Sequence, residues 1–372
     1  MRVAFDIHTL GQNATGNETY AEGLRRSFLL DPPPDMDFVF YQTNPVIDGE
    51  LAGRLRQLRP GGSILRLLLA TPLALQRDHV DVAHFQYFAP PIAVCPNVLT
   101  IHDLSFERHP ELFSMGMAWT MRLLLPYQVR RAAHIITVSH ATRDDLLDLY
   151  DVAPERISVI HNGVAEAWRP MTDQTALRRG LARFRLKRPF ILSVGNLGAR
   201  KNQLALVRTF GRLIKARRIE CDLVLAGKPT ESADGILAEI KRAGLDARVH
   251  VTGFVSQEEL LCLYNAASFS AYLSLYEGFG LPILESMACG LPVLTSAISC
   301  MPEVAGDAAL LVDPRDDEAI YSAMLRMTED KALRESLRQK GLQRAQAFSW
   351  GEAARRTAAV YRQVHQARST RR

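Results

Sequence analysis

At 372 residues, with 47% hydrophobic and 23% charged side chains, the chain is long enough for two ordinary domains, each with its own core. Nowhere do about 18 apolar residues run uninterrupted, and residues 1–6 start directly as a strand without a basic, apolar leader, so neither a membrane span nor a signal peptide is expected. The five cysteines are scattered, odd in number and never spaced Cys-x-x-Cys, so neither a disulfide framework nor a zinc site is indicated and the cytoplasm is favoured.

The first strand is expected at 2–6. Gly16 lies in the stretch 13–20 that follows it and opens a helix over 18–29, where its backbone either faces a ligand or merely caps the helix. Further strands are expected at 37–42, 80–84, 98–101, 135–138 and 158–160. Residues 63–70 and 121–126 are apolar with one arginine inside each, Arg66 and Arg122, which suits either core helices or contact with a membrane surface. His102 and Asp103 come straight after the strand 98–101, where an imidazole either hydrogen-bonds a sugar hydroxyl or serves the structure. Ser139 reads as a helix cap, and Asn162-Gly163 has turn chemistry.

A polar, Pro-punctuated segment at 164–188 marks the boundary between domains. Beyond it strands are expected at 190–194, 222–226, 249–252, 269–273, 293–295 and 309–312, with helices such as 203–215 and 258–266 between them. Strands alternating with helices imply an α/β chain with a parallel sheet covered on both faces, here built twice. Ligands of such sheets bind at the carboxyl ends of the strands, so a cleft between the two domains is the expected site. A helical run over 350–366 and the basic tail Arg368–Arg372 close the chain.

Two loops carry the chemistry. Gly195-Asn196-Leu197-Gly198-Ala199-Arg200-Lys201-Asn202 leaves the strand 190–194 and matches neither a dinucleotide nor a Walker fingerprint. Its paired cations either neutralise the charge developing on a leaving diphosphate or are surface charges at a helix start. From Tyr276 to Gly290, two carboxylates, Glu277 and Glu285, flank a glycine-framed turn (Gly278, Phe279, Gly280) that opens into a helix at Leu281-Pro282 and ends at Gly290. The free amides of that helix start attract phosphate, whereas the carboxylates repel it and suit neutral hydroxyls. Hydroxyls beside phosphates mean a sugar nucleotide.

Charge agrees with that placement: residues 1–165 hold 14 Arg, no Lys and 18 acidic groups, net −4, and the remainder carries +9 of the overall +5. The positive half is either a field for an anionic ligand or a solvated surface. No basic stripe is interleaved with aromatics, so nucleic acid is not an expected partner. No acid–base carboxylate pair or Ser/His/Asp arrangement favours ordinary hydrolysis.

Taken together, Glu277-x7-Glu285 with its Gly-Phe-Gly-Leu-Pro wording, His102-Asp103, Val138-Ser139, His161-Asn162-Gly163-Val164, Arg200-Lys201-Asn202, Gly253-Phe254-Val255 and Phe348-Ser349-Trp350 resemble the retaining glycosyltransferases of family 4, the group 1 glycosyltransferases. The resemblance covers nearly the whole chain. It implies the GT-B fold, two facing Rossmann-like domains: 1–165 for the acceptor, 166–349 for the donor, and 350–372 as a helix crossing back to the first domain plus the tail. By the same resemblance Lys201 binds the donor diphosphate, Glu285 the ribose hydroxyls and Glu277 the transferred sugar, with Gly278, Phe279, Gly280 and Leu281 near phosphate or sugar. His102 contacts the sugar from the opposite domain, with His102, Lys201 and Glu277 as the catalytic set. Gly16, Lys228, Phe254 and Val255 complete the donor site, the last three around the nucleobase. Asn196 stands where many relatives carry an arginine, and either Arg200 compensates or Lys201 acts alone.

The wording is most similar to bacterial mannosyltransferases of surface polysaccharide and lipopolysaccharide synthesis. This implies a nucleoside diphosphate sugar donor, GDP-mannose favoured, a saccharide or lipid-linked acceptor, no tightly bound cofactor and no required divalent metal. It also implies a cytoplasmic enzyme with peripheral association at the inner membrane face. The rival readings are a sugar-nucleotide epimerase or phosphorylase of the same fold, and a non-catalytic nucleotide-sugar-binding protein.

Overall fold

A computed structural model describes residues 1–11, 16–43, 54–59, 63–92, 94–112 and 115–369. The chain divides into two compact units, residues 1–163 with 348–372, and residues 164–347. The first unit holds the strands β1 (Arg2–Asp6), β2 (Asp37–Gln42), β3 (Leu55–Gln57), β4 (Val82–Gln86), β5 (Asn97–Ile101), β6 (His134–Thr137) and β7 (Ile157–Val159). They form one sheet in the order β3-β2-β1-β4-β5-β6-β7, with every pairing parallel.

Successive side chains of a strand point to opposite faces, so a strand covered on both sides must be apolar throughout. On one face Phe5, Phe38 and His84 meet Phe28 of the helix Gly16–Leu30 and Tyr361 of the helix Trp350–Ser369. On the other, Ala4, Val39, Ala83, Phe85, Leu99 and Ile135 share a core with Ala70 and Leu75 of the helical run 63–77 and with Leu125 and Val129 of the helix Met115–Arg131.

Two details differ from the sequence reading. The strand expected at 80–84 is Val82–Gln86, because Val80 donates its N–H to the carbonyl of Leu75 and belongs to the exit of the preceding helix. The three-residue edge strand β3 was not expected at all; it is too short to show a period.

The second unit holds β8 (Phe190–Val194), β9 (Asp222–Ala226), β10 (Val249–Gly253), β11 (Phe269–Tyr272), β12 (Val293–Ser296) and β13 (Ala309–Val312). Their order is β10-β9-β8-β11-β12-β13, again all parallel. Helix Gln203–Lys215 buries Leu206, Val207, Phe210 and Leu213 against this sheet, the spacing of one helical face. Chain order reverses between β8 and β11. Connections from these neighbours leave in opposite directions, so the loops after them open a crevice at the carboxyl edge, where open α/β sheets bind ligands. Those loops are 195–202 and 273–280.

Candidate active site

The loop after β8 is shaped by its neighbours before it offers any side chain. Gly195 donates its N–H to the Ala226 carbonyl and Leu197 to that of Lys228, so the loop runs beside the exit of β9. The backbones come so close that a Cβ on Gly227 would lie 2.1 Å from the Gly195 oxygen. A one-turn 3-10 helix, Ala199–Lys201, and a left-handed Asn202 (φ +55) then start the helix Gln203–Lys215. Asn202 Nδ2 donates to the Pro314 carbonyl at 2.7 Å, fixing the point from which Arg200 and Lys201 project.

The loop after β11 comes to meet them. The Leu275 N–H donates to the carbonyl of Arg200 at 2.9 Å, and Arg200 Nη1 donates to the carbonyl of Tyr276 at 3.0 Å. Glu277 is thereby placed between the two cations: its Oε2 accepts from Arg200 Nη1 at 2.7 Å and its Oε1 from Lys201 Nζ at 2.7 Å. Lys201 Nζ also donates to the Tyr272 hydroxyl at 2.6 Å. Glu277 is buried, and its own backbone N–H and carbonyl are both held by the Ser299 hydroxyl. Burial by itself raises a carboxyl pKa, yet the charges of Arg200 and Lys201 outweigh it and hold Glu277 at about 2.

Gly280 ends the turn with φ +90 and is the N-cap of the helix Leu281–Ala288, with Pro282 in its first turn. A left-handed backbone of this kind favours glycine. Phe279 is buried beside it, and Leu281 is half-buried. One turn into the helix, Glu285 meets no cation among the described residues. Its Oε2 accepts from the Tyr264 hydroxyl at 2.8 Å, and desolvation pushes its carboxyl up to about 7. The two glutamates of one motif therefore have opposite electrostatics, set by what faces them.

The remaining candidates fall into separate settings. Lys228 Nζ sits 5.0 Å from the ring centre of Phe254, both exposed, and Val255 packs on the core beneath. Asn196 is exposed, with its carbonyl accepting from Gln203 Nε2 at 3.4 Å. In the first unit, His102 leaves β5 buried, with its ring edge-on to Tyr20 at 4.8 Å. Its Nε2 bonds Gln86 Oε1 at 2.8 Å, and burial lowers its pKa to about 4, so the ring is neutral near pH 7 with Nδ1 left as an acceptor. Gly16 begins the helix that carries Tyr20; residues 13–15 of the same stretch lie outside the described residues.

Four residues here escape sequence reasoning: Tyr272 and Ser299 around the Lys201–Glu277 pair, Tyr264 on Glu285, and Gln86 on His102. Gln86 alone had a signal, a polar residue at the carboxyl end of a strand.

Residues 34–168 match the family Glycosyltransferase Family 4, and residues 178–344 match Glycosyl transferases group 1. The chain is 32% identical over 288 residues to the O-antigen chain mannosyltransferase B of Escherichia coli, covering 77% of this chain and 75% of that protein. It is 31% identical over 231 residues to the serotype-specific mannosyltransferase WbdA of Escherichia coli, which covers 61% of this chain but only 28% of that longer protein. In fold it is similar to the sucrose-phosphate synthase of Thermosynechococcus elongatus, with a TM-score of 0.77 at 22% identity over 99% of this chain and 100% of that one. The chain belongs to the family-4, group 1 glycosyltransferases and has their GT-B fold.

Proposed function

We propose that this glycosyltransferase moves a hexosyl group, mannose, from GDP-mannose to a hydroxyl of a saccharide or lipid-linked acceptor, with retention of anomeric configuration. In this reading residues 166–349 hold the donor and residues 1–165 the acceptor. The observation that carries it is the Arg200–Glu277–Lys201 cluster at the strand-order reversal of the second sheet. The choice of mannose is supported by the names of the two relatives in sequence described above, both mannosyltransferases.

The cluster has a chemical logic for this donor. A diphosphate carries more charge than one carboxylate, so it draws Arg200 and Lys201 to itself and leaves Glu277 free to accept from hydroxyls of the transferred sugar. Arg200 supplies the second diphosphate contact that Asn196 cannot. The amides at Gly280 and Leu281 face the same charge, Glu285 accepts from the ribose diol, and Lys228 with Phe254 borders the base. The Nδ1 acceptor of His102 suits a sugar hydroxyl.

Transfer then needs no enzyme nucleophile. The bond from the anomeric carbon to the diphosphate oxygen breaks, the acceptor oxygen bonds that carbon from the same face, and the acceptor proton passes to the departing diphosphate. The protein stabilises the departing charge and orients the sugar. With two side-chain cations at the diphosphate, a divalent metal is not required, and the reaction is placed in the cytoplasm, where nucleotide sugars are made.

A donor panel of GDP-mannose, UDP-glucose, UDP-N-acetylglucosamine and dTDP-rhamnose, with product stereochemistry read by NMR and with EDTA present, tests this reading. GDP-mannose should be turned over to an α-linked product, and Lys201→Ala or Glu277→Ala should each lower kcat by about a hundredfold or more. Near wild-type transfer by both variants would end the assignment. Release of an altered free sugar without acceptor would establish an epimerase instead.

A further inference from the structure

We propose that His8, oriented by Asp6 and Arg66, binds a hydroxyl of the acceptor saccharide other than the one that attacks, and so decides which hydroxyl is glycosylated. The proposal rests on the transferase reading above and names a residue on its acceptor side.

Chain order in the first sheet reverses between β1 and β4. As in the second sheet, the loops after these neighbours open a crevice at the carboxyl edge. β1 ends there in Asp6, a charge buried to 1% exposure that needs partners to stay in place. Both of its oxygens are engaged: Oδ1 accepts the backbone N–H of His8 at 3.1 Å, and Oδ2 accepts from His8 Nδ1 at 3.1 Å and from Arg66 Nη1 at 2.6 Å. Arg66 reaches this place from the leucine-rich run 63–77. It is 4% exposed and opens the five-residue π-helix Arg66–Ala70, a wide turn of the kind frequent at functional sites.

Burial alone would raise the Asp6 carboxyl, but His8 and Arg66 hold it well below the usual carboxylate range. An ionised carboxylate only accepts, so His8 Nδ1 carries the proton of their bond, and in the neutral ring Nε2 is then an acceptor. The His8 side chain is 23% exposed, and its Nε2 has no hydrogen-bond partner among the described residues. An acceptor is thus pinned in one orientation at the open end of a strand. The next residue ties it to β4: Gln86 donates from Nε2 to Thr9 Oγ1 at 3.4 Å, and Gln86 Oε1 holds His102 at 2.8 Å. His8 therefore adjoins the histidine that the reading above assigns to the transferred sugar, on the side left for the acceptor.

Charge selects the ligand. The Arg66 guanidinium and the Asp6 carboxylate cancel, and residues 1–165 carry a net −4, so the cluster offers no positive field to a phosphate. A neutral acceptor nitrogen suits a sugar hydroxyl. The attacking hydroxyl sends its proton to the departing diphosphate, so the hydroxyl that donates to His8 Nε2 is another one on the same sugar. Holding it fixes how the ring lies, and hence which oxygen reaches the anomeric carbon.

Methyl α-mannoside and its monodeoxy analogues, used as acceptors with GDP-mannose and the full chain, test the proposal, with NMR of the product identifying the attacking hydroxyl. For the wild-type chain, removal of one other hydroxyl should lower kcat/KM about tenfold. His8→Ala should lower kcat/KM for the parent glycoside by about the same factor, yield mixed linkages, and show no further loss with that one analogue. His8→Gln, whose amide donates to Asp6 while its carbonyl accepts the hydroxyl, should recover part of the loss. Both variants should keep the wild-type thermal midpoint, because Asp6 retains Arg66. Equal penalties for every deoxy analogue in wild type and His8→Ala, an unchanged kcat/KM for the parent glycoside, or a loss matched by a lowered midpoint in both variants would overturn the proposal. So would donor hydrolysis by the wild-type chain without transfer to the glycoside. Absence of both hydrolysis and transfer would instead overturn the donor reading on which the proposal rests.

Discussion

Replacing Glu285 by glutamine should make the protein more stable at alkaline pH while weakening the donor. The carboxyl is pushed from 4.5 to about 7 because desolvation outweighs the hydrogen bond it accepts from the Tyr264 hydroxyl. For an acid whose folded-state pKa is raised, the folded chain binds the extra proton between about 4.5 and 7, so stability falls as pH rises through that window. The difference corresponds to about 3 kcal/mol when ionisation is complete, and to less where solvent reaches the half-buried group. For a unit of this size each kcal/mol moves the midpoint by about 2–4 °C, so Glu285→Gln should melt about 3–9 °C higher than wild type at pH 8.5. At pH 5 the gain should shrink to below about 1 kcal/mol. Thermal melts of both proteins at the two pH values read this directly. A gain of equal size at both, or a loss at pH 8.5, would refute the argument that desolvation governs this carboxyl. With the nucleotide, the same variant should raise Kd by about tenfold to a hundredfold, because the acceptor proposed for the ribose diol has lost its charge.

Glu277 should behave in the opposite sense. Its carboxyl is held at about 2, so its contribution is present above about pH 4.5 and disappears as pH falls toward 2, about 3 kcal/mol in all; Glu277→Gln should show a flatter acid limb in pH-dependent melts. His102, lowered to about 4 by burial, stays neutral above pH 5, so His102→Gln should reduce kcat without altering the shape of the pH–rate profile between pH 5 and 8. Because a Cβ at position 227 would fall 2.1 Å from the Gly195 oxygen, Gly227→Ala should cost about 3 kcal/mol or more, read as a fall in denaturant midpoint, and should displace Lys201 enough to weaken donor binding.

Much of the architecture is legible in local pattern. Apolar runs such as Phe190–Val194, punctuated by Gly195 and followed by an amphipathic helix, announce buried parallel strands, and Gly280 with Pro282 announces a helix start. These signals work because backbone conformation and face periodicity are decided within a few residues. The edge strand β3 and the true start of β4 were missed because one is too short for a period and the other depends on a hydrogen bond from Val80 back to Leu75.

What residue order determined about this protein is therefore the alternation of its elements and the identity of the groups at the strand ends: two glutamates, a lysine beside an arginine, and a histidine. Tertiary structure decided what each group means. The pairing of Arg200 and Lys201 with Glu277 joins residues 77 and 76 positions apart and exists only because β8 and β11 are neighbours in the sheet. Glu285, eight residues further along the same motif, faces a tyrosine instead of a cation, and its carboxyl is pushed up where that of Glu277 is held down. Arg66 sits within a leucine-rich run, yet it points inward because Asp6 waits at the end of β1, which turns the leucines to the surface. Charge and burial act over a few ångströms of space, and only the folded chain says which residues share those ångströms.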